Sequence, residues 1–132
     1  MTGARLRAAA FGTAALVFVT GAVFPLAAAH RVGIDPSWRA VVDGALPALA
    51  PALAIIVLTR YARGHTLASW AALVGGLLTW ALGIALYAAA LRPESRPGAA
   101  VLAVTFVPLR QLVAVAFAAW AASLVKRTRE GG

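Results

Sequence analysis

Four apolar runs, at residues 8–29, 40–61, 67–91 and 99–125, take up nearly all of this 132-residue chain. Each is about 20 residues or longer. A helix rises 1.5 Å per residue, so each can cross a hydrocarbon layer about 30 Å thick. Such a layer offers no water to backbone N–H and C=O groups, so each span must be a helix that bonds within itself. The expected fold is all-α: one integral membrane domain over 1–132, built as an antiparallel up-down bundle of four transmembrane helices. The connections 30–39, 62–66 and 92–98 are short, which makes sequential helices antiparallel neighbours. They carry turn residues, Asp35-Pro36, Gly64, Pro93 and Pro97.

The first run has a rival reading. Arg5 and Arg7, an apolar stretch and then Leu26-Ala27-Ala28-Ala29 have the layout of a secretory signal with a small-residue cleavage site. Its apolar part exceeds the usual 7–15 residues, so it is read as a span.

Composition agrees with a membrane protein. Charged residues make up 12% of the chain and hydrophobic ones 62%, where a soluble domain carries roughly 25% charged. Net charge is +8 and pI is near 11.8. In a soluble protein that balance would suggest nucleic acid. Here the basic residues flank the apolar runs, where they anchor spans and meet lipid headgroups, and no nucleic-acid partner is expected. Arg5, Arg7, Arg60, Arg63, Lys126, Arg127 and Arg129 fall on one side of the layer. Arg31, Arg39, Arg92 and Arg96 fall on the other. The excess on the first side places both termini in the cytoplasm. Usage rich in Ala, Arg, Gly and Pro resembles that of a GC-rich bacterial genome, which points to a bacterial inner membrane. The chain has no cysteine, which excludes disulfides, thiolate catalysis and cysteine metal sites.

One charge lies inside a span. Arg110 in hydrocarbon costs roughly 2.5–3.5 kcal/mol on insertion scales. It lies about two to three turns below the outer surface, and Asp43 about one turn below. An ion pair between them would offset part of the cost. The alternatives are that Arg110 reaches a lipid headgroup, or that another subunit supplies its carboxylate. Thr105 and Gln111 lie in the same zone. So do prolines: Pro25, Pro47, Pro51 and Pro108 free the carbonyls of Gly21, Asp43, Pro47 and Val104. These either kink the helices for packing or line a polar, outward-facing pocket. Asp43, Thr105, Arg110 and Gln111 are therefore the candidate intramembrane polar site.

Ala71, Gly75, Thr79 and Gly83 recur every four residues, a stripe small enough to let helices approach closely in lipid. Ala114, Ala118 and Ala122 form a similar stripe. The contact they serve lies either within the chain or with another subunit. Trp38 and Tyr61 read as interfacial aromatics, with Tyr87 and Trp120 as further candidates. Trp80 is deeper and reads as core, with a pigment or lipid as the lesser alternative. His30 and His65 lie on opposite sides and do not share a ligand.

Motifs of hydrolases, zinc peptidases and phosphate-binding loops are absent from the sequence. No enzyme and no cofactor is expected. The expected role is that of a small non-catalytic accessory, assembly or peripheral subunit of a larger membrane complex. Its partners would be membrane lipids and other membrane subunits or copies of itself. The alternative is a small oligomeric transporter or channel with Asp43 and Arg110 in its path.

Thr79-Trp80-Ala81-Leu82-Gly83, Pro97-Gly98 and the stretch 101–107 leading to Trp120 resemble a family of uncharacterised small bacterial four-span proteins. The Gly-Arg after that family's first span and the arginine after its final tryptophan have no counterpart here. Asp35-Pro36-Ser37-Trp38, Gly44 and the proline-bearing second span are similar to the middle of ATP synthase protein I, an assembly factor of the rotor ring. The acidic and basic residues of that family's third span are missing from 67–91. The first resemblance implies four spans and no function; the second implies an assembly role.

Overall fold

The computed structural model describes residues 3–32, 38–92 and 97–130. They form four helices: α1 (Gly3–Val32), α2 (Trp38–Tyr61), α3 (Thr66–Ala90) and α4 (Pro97–Glu130). Each holds one of the four apolar runs. Three contain a stretch long and apolar enough to cross a membrane, Gly3–Phe24, Thr66–Ala90 and Phe106–Thr128. The apolar stretch of α2, Ala45–Tyr61, is shorter, about 25 Å at the helical rise. Arg39 and Asp43 precede it on the same helix.

The α2–α3 connection is tight for identifiable reasons. Gly64 takes φ +82°, a left-handed conformation open to glycine at no steric cost. The His65 N–H donates to the Ala62 carbonyl at 3.1 Å and reverses the chain. His65 then caps α3, its Nδ1 accepting from the Ala68 N–H at 3.2 Å. The Ser69 hydroxyl ties the first turn of α3 to the end of α2 by donating to the Ala62 carbonyl at 3.3 Å.

Around the bundle the order is α1, α2, α4, α3. The helix α1 packs on α2 and α3, and α4 packs on α3 and α2. The diagonals α1–α4 and α2–α3 touch least. Sequential neighbours pair as expected for α1 with α2 and α3 with α4. They do not for α2 and α3, although the shortest loop joins them. The cause lies in side-chain size. Gly76 of α3 admits Thr13 of α1: a Cβ at Gly76 would run into the Thr13 side chain. Trp80 of α3 donates its indole N–H to Thr20 Oγ1 of α1 at 3.0 Å. Thus α1, not α2, takes the face of α3 beside it.

The distribution of size is inverted relative to a soluble bundle. Much of the interior is alanine: Ala10, Ala62, Ala68, Ala72 and Ala122 are fully buried. Large apolar side chains point outward, among them Val57 and Phe117 at 67% exposure and Leu78 at 64%. In water a continuous surface of this kind is untenable for a monomer. Lipid tails are as apolar as leucine, so hydrophobic exclusion does not drive helix association there and close packing of small residues does. The glycines mark the approaches. A Cβ on Gly21 would collide with Ala48 of α2, and one on Gly75 with Ala118 of α4. Trp80 packs against the main core cluster, as its depth suggested. Tyr87, a further interfacial candidate in the sequence, is buried in the bundle and stacks on Phe24 with ring centroids 4.3 Å apart.

Gly76→Leu is expected to lower stability in detergent micelles by about 2 kcal/mol or more, because overpacking a tight contact typically costs 1–3 kcal/mol. Leu78→Ala, on the lipid-facing side, is expected to stay within about 0.5 kcal/mol. Denaturant unfolding of the two variants checks the contrast, and equal losses would place both faces in the core.

Candidate functional site

Arg110 and Gln111 are adjacent on α4, and successive residues on a helix point about 100° apart. That step divides them. Gln111 is 2% exposed and faces α3, whereas Arg110 is exposed on the outside of the bundle.

The surroundings of Gln111 are built by the small stripe of α3. Its side-chain amide donates from Nε2 to the Thr79 carbonyl at 3.1 Å. That carbonyl belongs to the α3 ladder, four residues before Gly83. A side chain at position 83 would stand where the amide enters: a Cβ on Gly83 would clash with Nε2 and lie 3.2 Å from Cδ. Glycine therefore opens the Thr79 carbonyl to a second donor. The Thr79 hydroxyl turns back to its own helix and donates to the Gly75 carbonyl at 2.7 Å. One turn along, Gly75 meets Ala118. Thus Gly75, Thr79 and Gly83 form a contact with α4 inside this chain, and Ala71 lines the groove beside it. The stripe thus makes a contact within the chain.

The other buried polar side chains are likewise spent locally. Thr13 donates to the Ala10 carbonyl at 2.6 Å and Thr59 to the Ile55 carbonyl at 2.7 Å. With Ser69, Thr79 and Gln111 already bonded, each described buried polar residue has a partner. The exception by atom is His65 Nε2, buried with no hydrogen bond among the described residues. Pro51 and Pro108 are buried, and the helices that hold them continue past them.

Arg110 forms no ion pair or hydrogen bond with another described residue. The side chains of Asp43 and Thr105 lie outside the described residues, so the expected Asp43–Arg110 pair does too. The depth of Arg110 follows from α4. It precedes Lys126 by 16 positions, about 24 Å along the axis. A layer about 30 Å thick that starts at Lys126 ends about one helical turn beyond Arg110. On a layer so placed, Arg110 would lie about one turn from the surface, shallower than the two to three turns expected from the sequence.

Sequence reasoning placed Gln111 beside Arg110 in one polar zone and missed that one is buried against α3 and the other exposed. Spacing alone does not divide them: Gln111 is three residues and Arg110 four residues before Ala114 in the Ala114, Ala118 and Ala122 stripe, so both border the same face of α4. It also missed His65 as a cap, since histidine is not among the strong N-cap residues. Comparison of the chain with protein-family models, with curated proteins and with solved structures finds no match.

Gly83→Ala is expected to destabilise the protein by about 1 kcal/mol, the usual scale of an interhelical hydrogen bond in lipid. In a Gln111→Ala background the same substitution is expected to be neutral or slightly stabilising, because alanine is the better helix former. A double-mutant cycle on unfolding in detergent measures this coupling. Additivity would detach Gly83 from Gln111.

Proposed function

We propose that this chain is a small non-catalytic integral membrane protein that serves as an accessory or assembly subunit of a larger membrane complex. The observation that carries the reading is Arg110, exposed on the outer face of α4 beside Phe106, Leu109 and Val113, each more than half exposed. A guanidinium among apolar side chains in the far leaflet is best stabilised by a carboxylate on another membrane subunit, or by Asp43 of this chain. The interior offers less. Its polar side chains are consumed by neighbouring carbonyls, which leaves packing as their role. In the alternative, a small oligomeric transporter, the path past Asp43 and Arg110 would run between copies.

The contact pairs support an antiparallel four-span bundle. Gly75 faces Ala118 and Gly83 faces Gln111, so α3 and α4 run in opposite senses, while Thr13–Gly76 and Thr20–Trp80 give α1 and α3 the same sense. With the excess of basic residues at one end, this reading places both termini in the cytoplasm of a bacterium. The resemblance to ATP synthase protein I belongs with the assembly role and rests on 35–51 alone.

Arg110→Leu is expected to abolish co-purification of partner subunits in mild detergent while the isolated chain keeps its thermal midpoint within a degree or two, roughly the effect of a surface substitution. Unchanged co-purification would remove Arg110 from the interface. Reporter fusions after Arg63 and after Arg129 are expected to signal cytoplasm in both cases. A periplasmic signal from either would overturn the orientation.

A further inference from the structure

The weakest lateral seam of the bundle lies between α2 and α4, and it is open. A groove of about 570 Å³ runs along it, walled by Ala54, Leu58 and Tyr61 of α2 and by Leu112, Ala116 and Ala119 of α4. Its cause is compositional. The closer seams each hold a glycine: Gly21 between α1 and α2, Gly76 between α1 and α3, Gly75 and Gly83 between α3 and α4. Neither the apolar stretch of α2 nor α4 beyond Gly98 contains one. Alanine keeps the two backbones farther apart than glycine does, and the side chains do not fill the remaining space.

Three properties of the groove identify an occupant. Its walls carry no charged side chain. Its length, from Leu112 to Ser123 on α4, is about 16 Å, close to the 15 Å depth of one leaflet's hydrocarbon. Its end is cationic and fixed in place. Lys126, one turn past Ser123, donates from Nζ to the Tyr61 carbonyl at 2.6 Å and sits 4.2 Å above the centre of the Tyr61 ring. Arg60 and Arg127 are exposed at the same end. In the sequence around that end Arg5, Arg7, Arg63 and Arg129 add positive charge, and Glu130 is the single acid.

We propose that the α2–α4 groove is a binding site for one acyl chain of an anionic glycerophospholipid in the leaflet on the Tyr61–Lys126 side, with the headgroup phosphate at Lys126 and Arg60. An apolar helix from another subunit would match the walls but not the cationic end. A zwitterionic lipid would match the walls and gain less at that end. The fixed ammonium sets the chain's register: the phosphate stops at Lys126 and the hydrocarbon runs toward Leu112. The inference rests on the membrane reading, whose own failure would show as a chain that stays soluble without detergent.

The test is native mass spectrometry of the full chain in detergent, titrated with phosphatidylglycerol or phosphatidylcholine. The wild type is expected to retain one phosphatidylglycerol in preference to phosphatidylcholine. Lys126→Gln is expected to cut that preference roughly fivefold, the scale of one basic residue at a lipid surface. Ala116→Leu, at an exposed position on the groove wall, is expected to lower retention of both lipids without changing the thermal midpoint. Equal retention of the two lipids by the wild type, or a preference that survives Lys126→Gln, overturns the proposal. So does Ala116→Leu leaving retention intact, or a dimer that Ala116→Leu dissociates, which would assign the groove to a second copy.

Discussion

Everything in this bundle depends on how closely two helix backbones approach when hydrophobic exclusion cannot pull them together. In lipid the gain comes from packing and from the few hydrogen bonds made between helices. Glycine and alanine at the seams let dispersion contacts form along the backbone itself, each small and collectively large. The seam order follows from this. Gly21 seats Ala48 on α1, Gly76 seats Thr13, and Gly75 seats Ala118. The short loop at Gly64 has no comparable influence: it joins α2 to α3, yet the two lie diagonally across the bundle. Side-chain volume at the seam, not loop length, decides which helices are neighbours here.

Close approach also sets the terms for polar groups. A hydroxyl inside the layer must find an acceptor, and the cheapest is a carbonyl of its own helix, as Thr13, Thr59 and Thr79 find. This satisfies the side chain but joins nothing to anything else. Gln111 is different because its amide reaches across to α3. It can do so only where the target carbonyl is uncovered, which is what Gly83 provides. Packing and hydrogen bonding are thus one device at that point: the missing side chain that allows contact also admits the donor. The Trp80–Thr20 bond performs the same joining between α3 and α1.

Much of this was legible in the sequence, for a physical reason. Apolar length reports directly on helices, so the four runs map onto α1 to α4, three of them long and apolar enough to cross a membrane. The every-fourth-residue stripe at Ala71, Gly75, Thr79 and Gly83 reported a close contact, because helical periodicity converts spacing into a face. What the stripe did not carry was its partner, since small residues accept any surface that fits. Tyr87 shows the same limit. Its phenol suits an interface as well as a core, and the ring it stacks on, Phe24, belongs to another helix. Pairing between helices depends on the volumes of both faces at once, and a single chain's periodicity shows one face at a time.

The outward face is where function has to lie if the interior is packing. A bundle whose seams were all as close as α3–α4 would present to lipid a uniform apolar surface. This one does not. Arg110 stands out toward one end of the bundle and the Tyr61–Lys126 pair at the other, both contributed in part by α4, the longest helix. The first charge is unpartnered among the described residues, and its cost in hydrocarbon asks for an opposite charge from outside the bundle or from Asp43. The second is held in position by a carbonyl and a ring, at the end of a groove that glycine-free seams leave open. The two lie about 24 Å apart along α4, so one ligand headgroup cannot serve both. On the proposed reading, binding at one would not occupy the other, and α4 would face a protein partner at one end and a lipid at the opposite one.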